Sequence, residues 1–230
     1  MNNLKKVISF SLWGNDLKYT KGAIKNAELS LQFYSDFECW FYIHDSVSTE
    51  IIEKLVSFSN TKIIYMKNLN LKICKPMCWR FLPISNEDVK LMICRDCDSR
   101  IMKREVLAVR EWINSDYDLH IMRDHKLYHN YKIFGGMFGI KKYKNMPNWI
   151  IEINNLNQNN MTRNYDLVFL EKIISKIPKY KVLAHSEASK KFNNEITKKF
   201  PTKYDETYSF CGEYIDENEN YIKEHREYLK

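Results

Sequence analysis

Glycine and proline are scarce in this chain, 6 and 5 among 230 residues. That scarcity excludes collagen-like and low-complexity disordered classes. No apolar run approaches the ~20 residues of a membrane-spanning helix. The opening MNNLKKVISFSLWGND carries only a short apolar run, cut at Asn15 and Asp16, with no small-residue cleavage site. No secretory leader is therefore expected, and a cytoplasmic chain with six reduced cysteines follows. A long basic arm is also missing. Lysine and arginine exceed aspartate and glutamate by 36 to 29, net +7, in small clusters at Lys141-Lys142, Lys190-Lys191 and Lys198-Lys199. Such an excess suits an anionic ligand, whether nucleotide, phosphate or acidic glycan, and also a nucleic acid or an anionic membrane surface. There is no internal repeat and no linker, so 1–230 reads as one domain, with a less regular segment over 193–230.

What is present is a core. Hydrophobic residues make up 44% and aromatics 14%. Strands are expected over 5–14, 39–45, 61–67 and 89–96, and helices over 20–36, 48–58 and 103–116, the last with Val106, Val109, Arg110 and Ile113 in helical register. Alternation of β and α predicts an α/β fold with a mostly parallel sheet covered by helices. The second half is more mixed: strands over 118–125 and 180–185, a glycine-broken strand over 129–142, and helices over 144–155 and 163–177. In parallel sheets ligands collect at the carboxyl ends of strands. Three polar clusters fall there: Trp13-Gly14-Asn15, His44-Asp45 and Asp96 to Arg100.

The third cluster holds two carboxylates, Asp96 and Asp98, two residues apart at a strand end. Hard carboxylate oxygens there suit Mg²⁺ or Mn²⁺, which leave positions open for water and phosphate. Such an ion bridges a diphosphate and stabilises it as a leaving group. A plain solvated turn is the bland alternative. Zinc on Cys74, Cys78, Cys94 and Cys97 is a rival, weakened because Cys94 belongs to an apolar strand and a three-residue offset sends Cys97 elsewhere. A phosphatase-like D-x-D-x-S/T site is another, but about 95 residues of βα structure precede it. No G-x-G-x-x-G follows the first strand, so a dinucleotide site is weaker still. The mid-chain GGMFG reads as close backbone approach.

Taken in order, SFSLWGN, CWFYIHD, MCWRFLP, RDCDSRI-x-x-RE-x-x-AVREW, HIMRDH-x-x-x-H and IFGGMFG resemble the small GT-A-fold glycosyltransferases of bacterial polysaccharide loci and large DNA viruses. The resemblance spans roughly 5–215. It implies a single GT-A-like (Rossmann-like) domain that transfers a sugar from a nucleotide-sugar donor, usually a UDP-sugar, to a hydroxyl of a glycan or related acceptor, with Mn²⁺ or Mg²⁺ as cofactor. On that reading Asp96 and Asp98 hold metal and diphosphate, and Leu12, Trp13 and Gly14 line the nucleobase and ribose. Arg80 approaches the donor, while Arg95, Ser99 and Arg100 flank the metal site. Asp166 matches a carboxylate near the reacting carbon, although the glutamine usual beside it is Leu167 here. Arg123 and Asp124 end a strand at the donor sugar, Asp124 as a sugar ligand or as base for the acceptor. His185 stands where a third metal ligand sits, with the neighbouring acid displaced to Glu187. His129 faces the acceptor or the surface, and FCGEY (210–214) closes over the donor. A non-catalytic, basic and aromatic-rich module for nucleic acid or glycan is the alternative. It would leave Asp96 and Asp98 dispensable.

Overall fold

The structure, a computed structural model, describes residues 4–69, 76–155, 164–178 and 181–230. Its first half alternates strand and helix: β1 (Lys5–Leu12), α1 (Leu17–Phe33), β2 (Glu38–Ile43), α2 (Thr49–Val56), β3 (Thr61–Tyr65), β4 (Val89–Cys94) and α3 (Lys103–Ile113). There follow β5 (Leu119–Arg123), β6 (Phe138–Lys141), α4 (Trp149–Asn154), α5 (Tyr165–Ile174), β7 (Val182–Ser186), β8 (Ile196–Lys198) and α6 (Lys223–Glu227). The described strands form one sheet in the order β3-β2-β1-β4-β6-β5-β7-β8. Every neighbour pair is parallel except the two made by β6, which runs against β4 and β5.

The central strands are buried on both faces, which is why they read as almost unbroken apolar runs. Period-two alternation splits their side chains between two cores. On one face Val7, Trp40, Met92 and Phe138 meet Phe81, Trp149 and Phe169. On the other Ile8, Phe10, Phe41 and Ile93 meet Ala23 and Ala27 of α1 and Val109 and Trp112 of α3. The first core is capped by a 3₁₀ segment, Pro76–Ser85, rather than by an α-helix. β1 offers it a polar foothold: the Ser11 hydroxyl accepts the Arg80 N–H at 2.9 Å.

Several sequence expectations shift. The strand expected over 129–142 pairs only at Phe138–Lys141, and the helix expected over 144–155 is confined to Trp149–Asn154. The buried face of α3 is Arg104, Glu105, Ala108, Val109 and Trp112; of the expected Val106, Val109, Arg110 and Ile113, Val109 lies fully inside it and Val106 and Ile113 pack partly buried beside it. The difference arises because Arg104 and Glu105 are buried as ion pairs, which hydrophobic periodicity does not register. β8 and α6 have no counterpart among the expected elements. Among the described residues no helix is long and apolar enough to cross a membrane.

Candidate active site

Parallel β2, β1 and β4 lie side by side, so their carboxyl ends open on one edge. There a cavity of about 430 Å³ is lined by Leu12 and Trp13 after β1, Tyr19 of α1, Arg80, Asp96 and Asp98 after β4, Phe134 and Gly135 before β6, and Asp166 of α5. Its size is ordinary for a small-molecule site. Residues as far apart in the chain as Leu12 and Asp166 meet there, which a solvated turn would not require.

Arg80 is the hub. One guanidinium nitrogen pairs with Asp96, and the other donates to Asp166 Oδ2 at 2.9 Å. Arg80 and Asp166 are each only 8% exposed at the side chain, so the pair is desolvated and geometrically strict. The neighbouring carboxylates hold the guanidinium charged against the cost of its burial. The two glycines of GGMFG make room for this arrangement. A Cβ on Gly135 would strike Arg80 and Asp166, and one on Gly136 would strike the Asp96 carboxylate. The expectation of close backbone approach therefore holds, with the ion-paired side chains as the neighbours.

Asp98 differs from Asp96. Among the described residues no cation lies within ion-pair distance of it. Burial, and then the Asp96 charge beside it, push its carboxyl up to about 6. Two hard carboxylates, one lacking a cationic partner, fit a divalent ion whose other positions are filled by water and phosphate. Trp13, 40% exposed, also lines the cavity and stacks on Tyr19 with ring centroids 6.4 Å apart. Gly14 turns the chain at φ 69°, and its N–H donates to Ser46 Oγ rather than facing the cavity.

Other expected site residues are placed elsewhere. Arg95 is buried under the sheet end, bound through Nε to Glu105 at 2.9 Å. Ser99 is buried within the turn, and its hydroxyl donates to the Asp96 carbonyl. Arg123 is enclosed by Glu195, Ser186 Oγ and the Lys132 carbonyl. Asp124 is fully buried, bidentate to Arg104 and accepting the Cys211 N–H, which leaves it no free oxygen for a sugar or an acceptor proton. His185, on β7, lies three strands from β4. Its Nδ1 meets His120 Nε2 at 2.8 Å and its Nε2 faces Glu111 at 3.3 Å. Among the described residues no three His, Cys, Asp or Glu side chains gather as a metal-holding group, so His185 does not join Asp96 and Asp98. His129 is buried too, its Nδ1 accepting the Asp124 N–H. Cys94 and Cys97 are buried thiols bonded to backbone carbonyls, and Cys74 lies outside the described residues. None of FCGEY (210–214) lines the cavity; the next residue, Ile215, donates its N–H to the Asp98 carbonyl at 2.8 Å.

Tyr19, Tyr131 and Phe134 also line the cavity, and sequence reasoning misses all three. Their signal is aromatic character close behind a strand end or beside the double glycine.

No known family model matches the chain, and no curated protein matches it in sequence. Among solved structures, 4-diphosphocytidyl-2C-methyl-D-erythritol synthase from Anaerococcus prevotii DSM 20548 aligns with a TM-score of 0.50 at 12% identity, covering 88% of this chain and 94% of that one. The galactosyltransferase LgtC, solved with donor and acceptor sugar analogues, aligns at 0.41 with 15% identity over 71% of this chain and 69% of its own. An active-site mutant of LgtC aligns at 0.41 with the same identity. At 12% identity the likeness to the synthase is one of fold alone: a mostly parallel α/β sheet flanked by helices.

Proposed function

We propose that the chain is a single GT-A domain that transfers a sugar from a nucleotide-sugar donor, a UDP-sugar, to a hydroxyl of a glycan or related acceptor, with Mn²⁺ or Mg²⁺ as cofactor. The observation that supports this best is the meeting of Asp96, Asp98, Arg80 and Asp166 in one cavity at the carboxyl ends of β1 and β4. A bound divalent ion supplies charge neutralisation to the donor diphosphate as it leaves. Asp96 and Asp98 are the residues to hold it.

The remaining work belongs to the chain's own groups. Trp13 and Tyr19 offer an aromatic face to the nucleobase, beside Leu12. Arg80 fixes the carboxylates of Asp96 and Asp166 relative to each other, so diphosphate and sugar ends of the donor are positioned by one rigid element. Asp166 stabilises positive charge growing at the anomeric carbon in an oxocarbenium-like transition state. Tyr131 and Phe134 add aromatic lining to the cavity and limit the water beside the donor.

Mn²⁺-dependent hydrolysis of UDP-sugars, with Asp98→Ala as control, tests the reading. Turnover that requires both metal and Asp98 is the expected result. A chain that binds glycan or nucleic acid but releases no UDP under any metal would overturn it.

A further inference from the structure

Two residues of α1 are poor helix formers placed four apart, Gly22 and Asn26, and both are buried. A glycine inside a helix costs stability relative to alanine, and asparagine is also unfavourable there. The reason for them lies across the interface, in the 96–101 turn. A Cβ on Gly22 would strike the Cys97 carbonyl. Asn26 Nδ2 donates to the Ser99 carbonyl at 2.8 Å and approaches the Asp96 carbonyl at 3.5 Å, while its Oδ1 accepts the Ile101 N–H at 3.0 Å.

The turn's carbonyls are thus individually secured. That of Asp96 also accepts the Ser99 hydroxyl, that of Cys97 accepts Arg100 Nη1, and that of Asp98 accepts the Ile215 N–H. Arg100 is held in turn by Glu219 and the Asp216 carbonyl. One wall of this cage is α1 and the other is the C-terminal segment. Neither Gly22 nor Asn26 lines the cavity.

We propose that Gly22 and Asn26 are positioning residues: α1 gives up helix propensity at these two places in order to grip the turn that aims Asp96 and Asp98 into the cavity. The role of the turn rests on the glycosyltransferase reading; the grip does not.

The test separates the two. Backbone amide exchange and Mn²⁺ affinity, the latter by electron paramagnetic resonance with UDP present, are compared in the wild type, Asn26→Ala and Ser99→Ala. Ser99→Ala removes one bond of the same cage and guards against an Asn26 variant that does not fold. Expected are faster exchange of the Ser99 and Ile101 amides, unchanged exchange in β7, and Mn²⁺ affinity at least tenfold weaker in Asn26→Ala with metal-free UDP affinity retained. Exchange of the turn amides within twofold of wild type in both variants would overturn the proposal. If turn exchange rises while the wild type itself binds no Mn²⁺, the grip stands and the metal reading fails.

Discussion

Removing Arg80 is the most informative single change. Arg80→Ala deprives Asp166, 8% exposed in the intact pair, of its guanidinium, and deleting one partner of such a buried pair costs about 3–5 kcal/mol. The Asp96 side of the hub contributes less. Its carboxylate is 44% exposed, so solvent screening holds that share to about 0–1 kcal/mol. A total near 4 kcal/mol, at a urea slope of about 2 kcal/mol/M, lowers the midpoint by about 2 M with the slope unchanged. The cause is checked by the double variant Arg80→Ala/Asp166→Asn. Without the uncompensated carboxylate, most of the loss should return, so the double variant should be about 2–3 kcal/mol more stable than Arg80→Ala alone. The assay is equilibrium urea unfolding followed by tryptophan fluorescence. A single-variant loss below about 1 kcal/mol, or no recovery in the double variant, would refute the view that this pair is desolvated and decisive.

Three further outcomes are expected. Asp124→Ala, which strips Arg104 of its buried bidentate partner, should lower stability by about 3–5 kcal/mol, while residual folded protein at low temperature still binds UDP with metal; loss of UDP binding at full stability would return Asp124 to the site. Burial pushes the His129 imidazole down to about 3, so it is neutral in the fold and charges in the unfolded chain below the ordinary histidine value. Its contribution is present above pH 6.5 and lost as pH falls: the stability gap between wild type and His129→Asn should shrink by about 2 kcal/mol between pH 6.5 and 5, at about 1.4 kcal/mol per pH unit, and a pH-independent gap would show that the imidazole titrates alike in the folded and unfolded chains. Trp13→Ala should weaken UDP binding about tenfold, within the range of about 1–3 kcal/mol for a base stacked on an aromatic ring, with Mn²⁺ affinity measured without nucleotide unchanged; equal losses for both ligands would contradict a nucleobase role.

The frame of the fold was legible because β1, β2 and β4 are buried on both faces and their apolar runs end in polar residues at the ligand edge. The D-C-D turn could be singled out for the same reason. Less legible were long-range pairings. Arg95, Arg123 and Asp124 stand at strand ends as site residues would, but Glu105, Glu195 and Arg104 claim them. A sequence shows the charge and its place on a strand, not the partner that closes over it. His185 failed similarly: its strand-end position suited a ligand, while the β4-β6-β5-β7 order carries it away from the acid turn. The glycine run reads correctly as close approach, yet its neighbours, Arg80 and the two aspartates, come from three distant segments. Gly22 and Asn26 gave a signal of another kind, poor helix formers inside a helix, whose meaning needed the opposing turn.

Anomalous diffraction at the manganese edge, on crystals grown with Mn²⁺ and UDP, addresses the metal claim without intermediaries. The expected map has one strong peak in first-coordination contact with carboxylate oxygens of Asp96 and Asp98 and with the UDP diphosphate. A peak bound elsewhere, or UDP seated in the cavity with no ion between it and those two side chains, would contradict the account.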